Sequence, residues 1–445
     1  MRVKPGSLLT LTAEKPVVGG RMLARHDGMV VLVWGAIPGE RITARVDRVS
    51  KQLAYATTVE VLTPSADRLG SGGDWRCGGQ AYAHIAYLRQ LELKRAVVCD
   101  ALNRIARVAQ PPELAMTASP ENGYRMRARL HVKGTRVGFF RGETHDVCDA
   151  ASTGQLLSGA EAVIAWCQRA LRAGTMRGAT SLDIAENRDA SERVCHFELD
   201  PGAEIDSLRA LVVEADVTGV VATQGGRYDT VVGVSSVTDV VRVSDDESMQ
   251  GVRLSRDPRA FFQGNRYLLS PMVRHVLSVV PPGPTIDLYA GVGLFGLCIA
   301  AAGGDRVTLV ENDPISGEDL RRNAASFGDT VTVCREPVEA FLRRVSPGGD
   351  VTVVIDPPRT GLSRAAADGL LSSKPARLVY VSCDPATFAR DAGLLTAGGY
   401  RLVDLHGFDL FPKTAHIEIV AILEQEGAIG SLAHGIRRVG ANGSE

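Results

Sequence analysis

Thr285-Ile286-Asp287-Leu288-Tyr289-Ala290-Gly291-Val292-Gly293-Leu294-Phe295-Gly296 reads as a short apolar strand turning through glycines into a helix. Gly291, Gly293 and Gly296 make the pattern G-x-G-x-x-G, and Glu311 follows 18 residues beyond Gly293, at the end of the next strand-like run. Glycines at such a turn let the backbone approach a ligand, and a carboxylate at the next strand end can accept two ribose hydroxyl hydrogen bonds. Outward from this turn the alternation is regular. Strands are expected at 285–289, 306–311, 330–334, 351–355 and 377–382, with helices at 294–302, 314–326, 337–345, 363–371 and 386–396. A closing pair falls near 401–408 and 416–424. Such βαβ alternation predicts an α/β fold with a doubly wound sheet, which takes its ligands along the carboxyl edge of the strands.

Two further strand ends carry chemistry. The run Val351 to Ile355 leads into Asp356-Pro357-Pro358-Arg359, and Leu378 to Ser382 leads into Cys383-Asp384-Pro385. The glycine turn alone suits a nicotinamide dinucleotide as well as S-adenosylmethionine. An acidic residue followed by two prolines makes a rigid turn that resembles the fourth motif of S-adenosylmethionine-dependent methyltransferases. The amino-methylating members follow the prolines with an aromatic residue. Arg359 stands there instead, which argues against methylation of an exocyclic amine.

Cys383 precedes a helix start, where the helix N-terminus can favour a thiolate. Carbon-5 of a pyrimidine is too weak a nucleophile to take a methyl group from a sulfonium unaided. A thiolate adding to carbon-6 turns the ring into an enolate that can, and a base must then remove the carbon-5 proton before the thiol leaves. Glu418, in Thr414-Ala415-His416-Ile417-Glu418 at the entry to a late strand, is the natural base, with His416 as the alternative.

The bulk numbers are those of an ordinary globular protein of two or three domains: 445 residues, 45% hydrophobic and 23% charged, with a formal net charge of −1. A charge so near zero means that any nucleic-acid surface must be a local patch. Eight cysteines without a spaced framework suggest a reducing cytoplasm rather than disulfides. No signal peptide and no membrane span are expected.

Residues 1–65 read as about five short strands broken at Gly19-Gly20, Asp27-Gly28 and Pro38-Gly39, which suits a small β-barrel of the oligonucleotide-binding type. Thr63 to Trp75 reads as a linker, followed by a helix from about Gln80 through Arg107. A central α+β domain is expected over 76–255 and the cofactor domain over 256–424. The tail 425–445 is expected to be disordered. In Arg125-Met126-Arg127-Ala128-Arg129-Leu130-His131-Val132-Lys133 the basic residues fall at every second position, so a strand here has one basic face that could track RNA phosphates.

Gly291-Val292-Gly293, Asp356-Pro357-Pro358-Arg359, Ser382-Cys383-Asp384-Pro385 and Asp409-Leu410-Phe411-Pro412-Lys413-Thr414-Ala415-His416-Ile417-Glu418 together resemble the RNA 5-methyluridine methyltransferase family, with its class I methyltransferase sheet. Phe261-Phe262-Gln263-Gly264-Asn265 matches that family's phenylalanine-glutamine-asparagine motif. The first 65 residues look like a TRAM domain, an RNA-binding barrel of part of the family. The resemblance covers the chain to about residue 424. It implies cofactor contacts for S-adenosylmethionine at Gln263, Tyr289, Gly291, Gly293, Glu311 and Asp356, with Asp356 also a candidate for facing the base. Cys383 is then the nucleophile and Glu418 the proton acceptor. It implies ribosomal RNA as the substrate, with transfer RNA as the alternative; a monomer is expected, in the cytoplasm that the scattered cysteines suggest. Many members also hold a four-iron, four-sulfur cluster on a C-x5-C-x2-C run and a later cysteine. Around Cys77 those positions fall on Ser71 and Gln80, with Thr153 near the fourth and Cys148 five residues away. Ser and Gln cannot replace thiolates, so no cluster is expected and Cys77 is read as a packing residue. Two other classes compete: a nicotinamide oxidoreductase, which leaves Cys383 unexplained, and a non-catalytic RNA-binding protein.

Overall fold

The computed structural model describes residues 3–70, 73–244 and 251–426; Ser71 and all but the first two residues of the expected tail lie outside them. The N-terminal unit is a six-stranded sheet in the order Leu8–Thr12, Arg41–Ser50, Leu53–Thr63, Met29–Trp34, Met22–His26, Lys15–Pro16. Alternate residues (Leu9, Leu11, Val31, Val33, Ile42, Ala44, Val46) face one buried core. Register shifts where Arg41–Ser50 pairs with Leu53–Thr63 bend those long strands, and the sheet curls until Leu8–Thr12 approaches Met22–His26.

The helix expected over 80–107 is shorter. It runs Tyr87–Ala101 and ends in a single π turn, Leu102–Ala106. Residues 80–86 form turns whose backbone groups bond to other segments: Tyr82 N donates to Lys413 O at 2.8 Å and Ala86 N to Asp67 O at 2.8 Å. Docking thus outcompetes helix extension there. A seven-stranded sheet follows, ordered Val147–Asp149, Arg136–Phe140, Arg127–Lys133, Ala179–Glu186, Arg193–Leu199, Gly219–Gln224, Arg227–Gly233. Helix Ser158–Ala173 covers one face, packing Val163, Ile164 and Cys167 against Ala128, Leu130 and Ile184. Arg129 and Lys133 are exposed on the opposite face, with Arg127 and His131 half-buried beside them.

The third unit is an eight-stranded sheet ordered Val331–Cys334, Val307–Val310, Thr285–Leu288, Thr352–Ile355, Arg377–Ser382, Glu418–Gln425, Tyr400–Phe408, Leu114–Thr117. The first five strands are mutually parallel. Both faces are buried, as parallel sheets require. Val354, Val379 and Val381 meet helices Leu269–Val279, Leu294–Ala301 and Pro314–Ala324. Val353, Ile355, Leu378 and Tyr380 meet Val338–Arg344, Arg364–Ser373 and Pro385–Ala397. The eighth strand, Leu114–Thr117, comes from the segment preceding the central sheet and pairs in parallel with Tyr400–Phe408. The chain therefore crosses between its layers.

Candidate active site

Four parallel strands end on the same edge, at Tyr289, Glu311, Asp356 and Cys383. Glu418–Gln425 runs the other way beside Arg377–Ser382, with Ile419 opposite Ser382. That antiparallel register brings Glu418, the first residue of its strand, next to Cys383.

At the glycine turn the backbone takes left-handed values at Tyr289 (φ 62°), Gly291 (φ 58°) and Gly293 (φ 99°), conformations that glycine adopts without penalty and tyrosine does not. The three glycines do different work. A Cβ on Gly296 would fall 2.0 Å from the Leu309 side chain, and one on Gly293 2.6 Å from Leu297. Both glycines therefore permit close helix–strand packing. A Cβ on Gly291 meets nothing within 4 Å, so this residue faces open space. Glu311 accepts hydrogen bonds from the backbone N–H groups of Gly291 (2.7 Å), Asn312 (2.7 Å) and Asp313 (2.6 Å). These fill three of about four acceptor positions on a carboxylate, so the residue is locked in place with less spare capacity than two ribose bonds need.

Asp287, which the sequence reading passed over, is fully buried and accepts the Gly296 N–H at 2.8 Å. Burial pushes its carboxyl up to about 8. Its position in an apolar strand was the only signal. Gln263 donates to Asp356 at 3.4 Å, and burial pushes the Asp356 carboxyl up to about 7 while Gln263 opposes that rise. An open backbone cradle at Gly291, a fixed carboxylate and a Gln–Asp pair fit an S-adenosyl ligand.

Next to this edge, burial pushes the Cys383 thiol up to about 11, reinforced by Glu418 and Asp356 and opposed by Arg359, which hydrogen-bonds it. The net effect of its surroundings is thus to raise the thiol although a helix begins just after it. Asp384 caps helix Pro385–Ala397 with its own carboxylate, accepting from Ala386 N (3.0 Å) and Thr387 N (2.9 Å), and those N–H groups are spent. Glu418 is 4% exposed. Burial and Asp356 hold its carboxyl well above the usual range, and Arg359 opposes them. Arg359, read from sequence only as an argument against amine methylation, is the cation shared by the thiol and Glu418.

The segment leading to Glu418 is fastened from three sides. Lys94 and Asp409 form a fully buried ion pair, and Lys94 Nζ also donates to Phe411 O at 3.1 Å. Asn265 donates to Leu410 O at 2.9 Å, and Lys413 N donates to Gln90 Oε1 at 2.8 Å. Asn265 of the sequence motif is therefore a scaffold residue. His416 remains exposed on the wall of a cleft of about 380 Å³ that also exposes Cys383 and Arg359.

Cys77 lines the same cleft, and it pairs with Cys148 in a disulfide, Cα atoms 5.7 Å apart. The cysteines were expected to be unpaired, and Cys77 to be a packing residue. The segment around Cys77 instead runs alongside the strands 136–149, with Gly78 N donating to Phe140 O at 3.0 Å. That brings together two cysteines 71 residues apart. Gln80 donates to Thr153 O at 3.0 Å. A disulfide, a glutamine amide and a threonine are not the thiolate set that an iron–sulfur cluster needs.

A class I methyltransferase sheet with a cysteine beside the methyl-donor edge is the arrangement these residues build. The family model tRNA (uracil-5-)-methyltransferase matches residues 350–426, which hold Asp356, Cys383 and Glu418. An RNA methyltransferase of Aquifex aeolicus is 31% identical over 95% of this chain and 99% of its own. The 23S rRNA (uracil(1939)-C(5))-methyltransferase RlmD of Ralstonia nicotianae is 29% identical over 94% and 99%. Among solved structures, the Pyrococcus abyssi tRNA (uracil-54, C5)-methyltransferase bound to S-adenosyl-L-homocysteine matches with a TM-score of 0.74, 25% identity, and coverage of 93% of this chain and 100% of that one. The chain belongs to the RNA (uracil-5-)-methyltransferase family. It is an enzyme acting on RNA uracil, which sets aside the oxidoreductase and the non-catalytic readings. Among the described residues no helix is long and apolar enough to cross a membrane.

Proposed function

We propose that this enzyme methylates carbon-5 of a uridine in ribosomal RNA, with Cys383 as nucleophile and Glu418 as base. The observation that carries the mechanism is the antiparallel register of Glu418–Gln425 against Arg377–Ser382, which sets a buried carboxyl beside the thiol. S-adenosylmethionine at the Gly291 and Asp356 edge supplies a methyl group on a sulfonium. Cys383 gives up its proton to solvent in the open cleft, its sulfur bonds to uracil carbon-6, and the carbon-5–carbon-6 electron pair becomes an enolate. Carbon-5 takes the methyl group as the carbon–sulfur bond of the sulfonium breaks, leaving a neutral thioether. Glu418, once it has ionised to solvent, is a stronger base than an ordinary glutamate because its carboxyl is raised, and it accepts the carbon-5 proton. The electron pair left behind restores the double bond and expels the thiolate. Arg359 steadies both anions in turn. The basic face of Arg127–Lys133 and the N-terminal barrel, read as a TRAM domain, are the surfaces assigned to RNA.

Support for ribosomal RNA comes from relatives named 23S rRNA methyltransferases that align over more than nine-tenths of the chain. Transfer RNA is the second reading, favoured by the archaeal structure. We further propose that the protein works in the cytoplasm as a monomer without a cluster, which iron and sulfide analysis after anaerobic purification checks. Mapping 5-methyluridine in both RNA classes of a deletion strain tests the main proposal. One site should vanish, return with the wild-type gene and stay absent with Cys383→Ala. Full methylation by Cys383→Ala overturns the mechanism, and a vanished tRNA site overturns the substrate.

A further inference from the structure

The cleft at Cys383 is built from more than the catalytic sheet. Its opposite wall comes from the N-terminal unit, the linker and the central sheet: Trp34, Trp75, Arg76 and Phe140 face the side that holds Cys383 and Phe411. Trp34 and Trp75 meet edge to face at 6.1 Å. Glycines make room for both indoles. A Cβ on Gly35 would fall 2.8 Å from the Trp75 ring, and one on Gly142 2.1 Å from Trp34. The exposed Arg76 guanidinium sits over the Trp75 ring, 5.1 Å from its centre, so a base stacking on that face takes its place. Three arginines line the cleft (76, 125 and 359) against one carboxylate, Asp384, which is already committed as a helix cap.

We infer that Trp75, backed by Trp34, is a stacking platform for the nucleotide next to the target uridine, and that Arg76 holds the phosphate between them. The inference rests on the proposed placement of the target base at Cys383. With the uracil at the thiol, the strand that carries it must leave along the opposite wall, because the two walls enclose one continuous space. Aromatic faces stack any base and cations track the backbone, the combination that single-stranded nucleic acid requires. Two backbone hydrogen bonds, Gly78 N to Phe140 O at 3.0 Å and Gly142 N to Arg76 O at 2.8 Å, fix the short segment carrying Trp75 and Arg76 to the central sheet, so the platform is pre-formed.

The test uses the full-length protein and a transcript that the wild-type enzyme methylates, a 23S rRNA fragment or, failing methylation there, a tRNA. A companion set replaces each nucleotide flanking the target by an abasic unit. Trp75→Ala should raise the KM for RNA roughly 5- to 150-fold, the loss of one stacked base, with the KM for S-adenosylmethionine unchanged. Trp75→Phe should recover most of the loss. A single abasic position should weaken wild-type binding by a like factor, and on that RNA Trp75→Ala should add nothing. Arg76→Ala should lower the slope of log K against log salt by about one. An equal penalty from Trp75→Ala on every abasic RNA overturns the inference, as does an unchanged KM. Should Trp75→Ala not fold, the abasic series on wild-type protein decides: no sensitive flanking position overturns it too. Methylation by Cys383→Ala would instead sink the nucleophile assignment, which the Trp75 measurements do not touch.

Discussion

The ionisation of Cys383 gives the sharpest test of the site. Burial, Glu418 and Asp356 hold its thiol near 11, so in the absence of ligands about one molecule in three thousand carries the thiolate at pH 7.5. Alkylation by iodoacetamide follows the thiolate fraction, and Cys383 lines an open cleft that the reagent can enter. Its rate constant, read on the Cys383 peptide by mass spectrometry, should climb about tenfold per pH unit from pH 7 to 9.5 without levelling. Neighbour substitutions should move that line in opposite directions. Arg359 opposes the rise. An opposite charge in contact is worth about one to three units, and the low end suits an exposed guanidinium, so Arg359→Gln should slow alkylation about tenfold at pH 8. Glu418→Gln removes a carboxyl whose charge, once ionised, raises the thiol, and should speed alkylation toward the alkaline end of that range. A plateau below pH 9, or faster alkylation in Arg359→Gln, would refute the electrostatic account.

Two further perturbations address the scaffold. Lys94→Met leaves Asp409 buried without its cation, which costs about 3–5 kcal/mol and should lower the melting temperature by several degrees. Lys94→Met with Asp409→Leu should recover more than half of that loss, and a double variant no better than the single would show the pair to be unimportant. The glycine turn separates packing from binding. Gly293→Ala brings a Cβ to 2.6 Å from Leu297 at φ 99° and should lose stability. Gly291→Ala, with open space around it, should cost only about 1–2 kcal/mol of backbone strain while weakening S-adenosylmethionine binding tenfold or more by calorimetry. Wild-type affinity in Gly291→Ala would mean that the ligand does not use that space.

Local chemistry was readable wherever it is written in consecutive residues. The glycine turn at Gly291, the acid–proline turn at Asp356 and the capped helix after Cys383 each follow from neighbours in sequence, and the structure sets them along one edge. Glu418 was readable as a strand start, but its place beside Cys383 depends on an antiparallel pairing made over more than thirty residues. Leu114–Thr117 was invisible as a strand of the catalytic sheet: four residues carry no usable alternation, and its partner lies nearly three hundred positions away. The Cys77–Cys148 pairing was missed for the same reason, because contact between distant segments, not spacing, makes a disulfide. Protonation states were the least legible. Nothing in the words Cys-Asp-Pro tells that burial and nearby carboxyls outweigh Arg359 at the thiol, or that Asp287 is buried deeply enough to hold a proton near neutral pH.

These protonation states bear on how the reaction starts. The resting site gathers a thiol near 11, a carboxyl near 7 at Asp356 and a raised carboxyl at Glu418 around one exposed arginine. Were the thiolate and both carboxylates all charged, three anions would face one cation in a largely buried space, an arrangement that desolvation forbids. The group therefore holds its protons until something compensates them. A cationic donor beside Asp356 would favour the carboxylate there, and uracil accepting the sulfur at carbon-6 moves negative charge onto the ring, away from the thiol. Once carbon-5 has taken the methyl group the ring carries no charge, and Glu418, with Arg359 opposing the rise of its carboxyl, can ionise when the carbon-5 proton must leave. On this view a resting thiol at about 11 is a safeguard as well as a cost: the nucleophile is dormant until base and donor are both in place, and stray electrophiles find few thiolates. The pH dependence of methyl transfer should accordingly be shallower than that of alkylation, because bound reactants supply the charge that hydroxide must otherwise remove. Equal slopes for the two reactions would contradict this coupling.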